Sequence, residues 1–363
     1  MNARRRSVAV RIGAVIVGGD APIAVQSMTK TDTRDVSATS AQVQALARAG
    51  CDIVRLAVPD MEAATAFAAI RATSSVPLVA DIHFDHRLAL AAIDAGADGL
   101  RLNPGNIRRR EHLEKVVARA KEREIPIRIG VNGGSLPVDY RAGEPFAARM
   151  VALGEEQVRV LEAMDFGLIK VSLKASDVLT TVKAYSLMAR RIPYPLHLGV
   201  TEAGPPSTGV VRSALGIGIL LHMGIGDTIR VSLSGDPLLE VDAGREILRS
   251  LAMASPMPNV ISCPTCGRTT LDVPGIASRV SEYLRGVDVP LTIAVMGCVV
   301  NGPGECRTAD AGIAGGDDKV LVYRAGEFAY SAPSDQAYEA IIQEIDLLTA
   351  ARKAASGSRD EVK

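Results

Sequence analysis

The chain has 363 residues, 47% of them hydrophobic, with 41 basic residues balanced by 41 acidic ones. That balance excludes a general nucleic-acid or anionic-membrane binder, though not a local cationic site. With 3% aromatic residues and no tryptophan, stacking platforms for single strands are excluded too.

In chain order, Val8 to Val17 is apolar and β-branched, broken by Gly13 and ended by Gly18-Gly19, which predicts a short hairpin. A regular alternation follows. Short aliphatic runs at Ile23–Ser27, Asp52–Ala57, Pro77–Asp81, Gly99–Leu102, Pro126–Gly130, Leu168–Ser172, Pro195–Gly199 and Thr228–Ser232 read as strands. After the first, Thr39 and Gln42 suggest a capping box and Gly50 a helix end. Helical patterns fit Met61–Thr73, Arg87–Ala95, Arg109–Arg123, Gly154–Met164, Ser176–Arg190, Val210–Met223 and Pro237–Leu251. Eight strand–helix units in about 250 residues suit a (β/α)8 TIM barrel. Local repeats favour that closed form over an open doubly wound sheet: Ala49–Leu56 resembles Ala95–Leu102, and Phe166–Leu173 resembles Gly226–Leu233.

The expected domains are a barrel over 1–250, a proline-containing linker over 251–262, a small α+β domain over 263–352 and a disordered tail over 353–363. In the small domain, Ile276–Leu284 reads as a helix and Leu291–Val295, Ala309–Ala314 and Val320–Tyr323 as strands. A last helix is expected over Asp335–Arg352 with Ser334 as N-cap. No apolar run is long enough to span a bilayer, and no apolar segment with a small-residue cleavage site follows the basic Met1–Ser7 stretch. A cytoplasmic protein is expected.

Five strands carry one basic residue between aliphatic neighbours: Arg55, Arg101, Arg128, Lys170 and Arg230. Side chains alternate along a strand, so if the aliphatic neighbours face the helices, the cations face the barrel axis. All five are expected near the C-terminal strand ends, where barrel enzymes keep their chemistry. Gathering five buried cations is costly without a multiply charged anion such as a diphosphate. Asp81 and Glu202, at equivalent strand ends, are the candidates for internal pairing. Polar residues around this level are Gln26, Ser27, Thr29, Lys30, His83, Asn103, Asn132, His197, Thr201, Glu202, Ser232 and Ser234. The Gly130–Ser135 segment suits a phosphate cradle. The Arg108–Arg110 run reads as a solvated face.

Cys263-Pro264-Thr265-Cys266-Gly267 and the segment Met296 to Glu305, with Cys298, set three thiols and a carboxylate among glycines. They read as a metal or cluster site, and spacing alone leaves iron–sulfur and zinc open. Five cysteines, four of them between 263 and 306, suit a reducing compartment and a cofactor rather than a disulfide frame. Cys51 reads as a buried structural thiol.

PIAVQSMTKTDT (22–33), DIVRLAVPD (52–60), ADIHFD (80–85), LRLNPGN (100–106), RIGVNGGSL (128–136), HLGVTEAG (197–204), SCPTCGRT (262–269) and MGCVVNGPGE (296–305) resemble the 4-hydroxy-3-methylbut-2-enyl diphosphate synthase family. These are the iron–sulfur enzymes of the methylerythritol phosphate route to isoprenoids, and the length suits the bacterial two-domain form. The resemblance implies a [4Fe–4S] cluster on Cys263, Cys266, Cys298 and Glu305. It implies 2-C-methyl-D-erythritol 2,4-cyclodiphosphate as substrate, held by Arg55, Arg101, Asn103, Arg128, Asn132, Lys170, Thr201, Arg230 and Ser232. Glu202 lies in the segment near the reacting centre and is the candidate general acid, which requires burial to raise its pKa. Flavodoxin or ferredoxin is the implied donor. A homodimer is also implied, the cluster domain of one chain closing the barrel of the other. Cys306 departs from the family pattern; on an extended backbone it and Glu305 point opposite ways, and Glu305 is kept as the ligand. The competing enzyme reading is a zinc-stabilised barrel transferase or aldolase acting on a phosphorylated substrate. The non-enzyme reading is an electron carrier or cluster-delivery protein.

Overall fold

The computed structural model describes residues 3–107, 109–254 and 257–360. Arg108 of the expected solvated run, Ser255 and Pro256 of the expected linker and residues 361–363 of the expected tail lie outside them. The chain divides into two compact units, Met1–Ala254 and Ser255–Lys363.

The first unit opens with an antiparallel hairpin, β1 (Val10–Ile12) and β2 (Val15–Val17). Eight parallel strands follow: β3 (Ala24–Met28), β4 (Ile53–Ala57), β5 (Leu78–Asp81), β6 (Gly99–Arg101), β7 (Ile127–Asn132), β8 (Ile169–Lys174), β9 (His197–Leu198) and β10 (Thr228–Ile229). After them in turn come α1 (Val36–Arg48), α2 (Met61–Thr73), α3 (His86–Asp94), α4 (Arg110–Glu122), α5 (Phe146–Glu162), α6 (Val178–Met188), α7 (Pro206–His222) and α8 (Pro237–Ser250). The strands form one sheet in the order β8-β7-β6-β5-β4-β3-β10-β9. A bridge between Val171 and Leu196 joins β8 to the chain entering β9, completing a TIM barrel.

Five of these eight helices are started by aspartate. Asp35, Asp60, Asp85, Asp177 and Asp236 each accept a first-turn backbone N–H. The expected capping box on α1 is thereby corrected. Its cap is Asp35, Thr39 donates to the Asp32 carbonyl, and Gln42 accepts from the N–H groups of Lys30 and Thr31. Helix α5 begins two turns ahead of its expected start at Gly154, because Pro145 fixes the backbone just before Phe146.

Outward residues of the strands pack under the helices. The inward residues fall into two regions. Val10, Ile12 and Val17 of the hairpin pack against Ala24, Ile53 and Val79, an apolar floor at the N-terminal end. The inward cations of the strands stand above it, while Asp98 and Asp227 lie at the N-terminal end beside it.

In the second unit, β11 (Asn259–Ser262), β12 (Thr292–Met296), β13 (Ala311–Gly315), β14 (Lys319–Arg324) and β15 (Glu327–Pro333) form one sheet in chain order. The first three are parallel and the last three antiparallel. The helices are α9 (Val273–Leu284), α10 (Gly302–Cys306) and α11 (Ala337–Asp360). Strand β11 occupies the end of the expected linker. Its apolar pair Val260-Ile261 is only half-buried, as suits an edge strand, which is why a proline-rich context hid it. The expected Ser334 cap is replaced by a 3-10 turn over Ser334–Gln336. Helix α11 runs into the tail expected to be disordered, because Ala350–Ala355 is rich in strong helix formers continuing a packed helix.

Candidate active site

Strand register fixes what faces the barrel axis. Arg101 pairs in register with Arg128, and Arg128 with Lys170. Met28 pairs with Arg55, and Ala57 with Asp81. Ser172 and Lys174 follow Lys170 on the inward side, and Gly130 and Asn132 follow Arg128. Arg101, Arg128, Lys170 and Lys174 are 7%, 4%, 3% and 5% exposed, so four cations share a space closed to bulk water.

The expected height of these groups needs correcting. Arg128 and Lys170 are the second residues of six-residue strands, deep in the barrel rather than at its mouth. The mouth position on β8 belongs to Lys174, two residues beyond the expected strand end at Ser172. Arg128 Nη1 donates to Ser172 Oγ at 2.6 Å, while its Nε and Nη2 have no partner. The Nε of Arg101 and of Arg230, both ring nitrogens of His197 and the amide of Gln26 are also buried and unpartnered. Burial lowers the pKa of Lys170, Lys174 and Arg128 well below their ordinary values, and neighbouring cations add to it. Arg55 is pushed down to about 10, burial outweighing the help of Asp81. His197 is held neutral by burial and by Lys174 and Arg128. Interior hydrogen-bond donors without acceptors are costly, and an anion is the group that satisfies them.

Two carboxylates answer part of this charge. Asp81 lies 3.7 Å from Arg55, 3.4 Å from Arg101 and 3.6 Å from His83. Burial alone would raise its pKa, but Arg55 and His83 hold it far below the carboxylate range. The second carboxylate is Glu240 of α8, not Glu202. Glu202 is exposed, forms no ion pair among the described residues, and sits at φ +53° in the loop after β9, its Oε1 3.9 Å from where a Cβ on Gly134 would stand. The burial expected of it is therefore lacking.

The other predicted residues are distributed as follows. Asn103 donates to the Gly130 carbonyl at 2.8 Å and accepts from its N–H at 2.7 Å, bracing β7. A Cβ on Gly130 would stand 2.8 Å from Arg101 Nε, so only glycine leaves room for that guanidinium. Asn132, Thr201 and Ser232 are half-buried at or beyond the C-terminal strand ends.

In the second unit, Cys263 follows β11 and Cys298 follows β12, two parallel neighbours, so both lie at one sheet end. Gly297 N–H donates to Cys263 Sγ at 3.4 Å. The N–H groups of Val300 and Asn301 lower the pKa of Cys298. Cys266 is exposed, and Glu305 is exposed on α10. Cys306 is fully buried against Ala294, Met296, Ala314 and Tyr323, and burial pushes its thiol up to about 12. The backbone there is helical rather than extended, which corrects the reason given for separating Glu305 from Cys306. Among the described residues, no three histidine, cysteine or acidic side chains converge enough to hold a single metal ion. A four-iron cluster places its own irons and sulfides between its ligands, and thiols with backbone N–H donors suit it.

Residues 7–245 match the family model described as the GcpE TIM-barrel domain, and residues 259–347 the GcpE protein C-terminal domain. The chain belongs to the GcpE family. Similar GcpE relatives include the 4-hydroxy-3-methylbut-2-en-1-yl diphosphate synthase (flavodoxin) of Dehalococcoides mccartyi strain CBDB1, 57% identical over 95% of this chain and 99% of that one. The synthase of the same name from Geobacter sulfurreducens is 54% identical over 96% and 99%. Among solved structures, Yersinia pestis dihydropteroate synthase has a TM-score of 0.50 at 13% identity, covering 67% of this chain and 98% of its own. That likeness concerns the barrel fold alone.

Sequence reading of this GcpE chain missed Lys174, Glu240 and Met28, whose sulfur accepts from Arg55 Nη2 at 2.8 Å. A usable signal existed for Lys174: it continues the alternation of Lys170 and Ser172. None existed for Glu240, which reaches the barrel wall from a helix.

Proposed function

We propose that this chain catalyses the reductive ring opening and dehydroxylation of 2-C-methyl-D-erythritol 2,4-cyclodiphosphate to 4-hydroxy-3-methylbut-2-enyl diphosphate, in isoprenoid biosynthesis. The observation that carries the reading is the barrel interior: buried Arg128, Lys170 and Lys174, with no carboxylate at ion-pair distance among the described residues, require a compact polyanion. Arg55, Arg101 and Arg230 complete its charge neutralisation. Asn132, Thr201 and Ser232 offer hydrogen bonds to the sugar-derived hydroxyls, and Asn103 keeps β7 in place. The apolar floor stops the ligand at one depth and keeps water from entering behind it. Glu202 remains the proposed donor of the proton that leaves with water, a role its exposed position supports through exchange with solvent rather than through burial.

Cys263, Cys266, Cys298 and Glu305 would hold the [4Fe–4S] cluster. When bound, that group would relay the two electrons from the external donor and supply a Lewis-acidic iron for the departing oxygen. Flavodoxin, which the names of the relatives carry, is the proposed donor, with ferredoxin as a substitute. A homodimer is proposed as well. Helix α7 turns Val211, Leu215 and Ile219 outward at 56%, 52% and 38% exposure, a face that a second copy would cover. The zinc-dependent transferase or aldolase reading draws no support from these relatives.

The test is anaerobic turnover of the cyclodiphosphate by the cluster-loaded chain with reduced flavodoxin, with the product identified by mass. Release of the dehydroxylated linear diphosphate is expected. Absence of turnover with a full cluster and an active donor would overturn the reading.

A further inference from the structure

We infer that Glu240 is a positioning residue for the anion site, acting through Arg230 and through the loop that carries Ser232. This rests on the function proposed above. Glu240 stands in the first turn of α8, outside the strand ring, and is 1% exposed. Its two oxygens meet four groups from separate places. Oε1 accepts from Leu233 N–H at 3.0 Å and faces Lys30 Nζ at 3.3 Å. Oε2 accepts from Ser27 Oγ at 3.0 Å and faces Arg230 Nη2 at 3.6 Å. Lys30 also donates to the carbonyls of Leu233, at 2.8 Å, and Gly235.

The clamp therefore ties the loop after β3 to the loop after β10, the first and last strands of the ring. Ser232 lies inside the segment it fixes. All four partners are donors, and only a carboxylate presents acceptors on both sides; a glutamine amide would set its NH2 against two of them. An apolar residue would fill the space but leave Lys30 and Arg230 without a counter-charge. Asp81, by contrast, faces the barrel interior and is open to contact with a ligand. Glu240 approaches from behind the wall, so its effect must pass through the groups it holds.

The test uses the full cluster-loaded chain and the variant Glu240→Gln. KM for the cyclodiphosphate should rise about 10-fold or more while kcat stays within about threefold, because the carboxylate orders the site without touching reacting atoms. Calorimetric affinity for the cyclodiphosphate should fall by a similar factor. In an Arg230→Ala background, adding Glu240→Gln should change affinity less than about threefold, the signature of residues acting as one unit. A purely structural role would instead lower the melting temperature, leave KM alone, and give the same effect in both backgrounds. Should Glu240→Gln not fold, Lys30→Met opens the clamp from its exposed side and must show the same KM-selective defect; a normal KM there would overturn the inference. Wild-type protein that fails to bind the cyclodiphosphate would overturn the proposed function and this inference with it. Wild-type binding with an unaltered Glu240→Gln would overturn this inference alone.

Discussion

Replacing Arg128 by methionine should stabilise the barrel and weaken its ligand at once. The guanidinium is 4% exposed, makes one hydrogen bond to Ser172, and leaves Nε and Nη2 unpartnered. Burial holds its pKa well below the ordinary value, and Arg55 and Arg101 push the same way. A methionine of similar length fills the space without that desolvation. Replacing buried charge by packed apolar atoms gains about 1–4 kcal/mol in comparable cases. For a unit of this size each kcal/mol moves the midpoint by about 2–4 °C, so the ligand-free melting temperature should rise by several degrees. Against that, two charge-assisted hydrogen bonds to a diphosphate are worth about 3 kcal/mol or more, roughly a 100-fold loss of affinity. The assay is thermal unfolding in phosphate-free buffer with and without inorganic diphosphate, whose stabilisation reports Kd through mass action. A lower ligand-free midpoint, or an undiminished ligand-induced shift, would refute the reasoning.

Gly130→Ala sets a methyl 2.8 Å from Arg101 Nε and should weaken cyclodiphosphate binding by about tenfold with little loss of helix content, read by calorimetry and circular dichroism. Cys298→Ser should abolish the visible absorption of the cluster. Cys306→Ser should keep it and cost about 1–3 kcal/mol of stability in urea, since its thiol lies in an apolar pocket. Lys170 has a folded pKa depressed below 10.5, first by burial and then by Arg128. The unfolded chain therefore binds more protons between that depressed value and 10.5, so Lys170 makes stability rise with pH across this window, its cost being fully present below it. Urea midpoints of wild type and Lys170→Met, compared as pH is raised toward 10.5, should converge; parallel curves would count against a strained lysine.

Alternation was the most legible feature of the chain. One cation between two aliphatic residues, repeated on strand after strand, is enough to place Arg55, Arg101, Arg128, Lys170 and Arg230 on the barrel axis. Height along that axis was not legible. Aliphatic runs stop short of the strand ends: β7 and β8 stay paired through Asn132 and Lys174, so polar residues continue the ladder and Lys170 drops to the interior. The symmetry between Asp81 and Glu202 failed for a local reason: Glu202 stands in the loop after β9, at a left-handed φ that no residue type announces. Glu240 was invisible because the pair Ser27–Glu240 joins positions 213 residues apart. The disposition of Glu305 and Cys306 involved a different error, helix taken for strand. Successive side chains on a helix also diverge, so one faces solvent and the other the core.

The ring of cations that reads as uniform in sequence is uneven in space. On one side, Arg55 and Arg101 share Asp81, while Lys30 and Arg230 share Glu240. On the other, Arg128, Lys170 and Lys174 have no such partner among the described residues, and a Cβ on Gly199 would stand 2.7 Å from Lys174 Nζ, leaving that ammonium little room to turn away. An arriving polyanion gains most where no carboxylate competes, so its phosphates should settle against β7 and β8. The paired side then contributes its two uncancelled charges together with direction, because its guanidinium groups are already oriented by their carboxylates. Two of these seven positive charges are neutralised permanently by Asp81 and Glu240, and the rest remain as the free energy that binding releases.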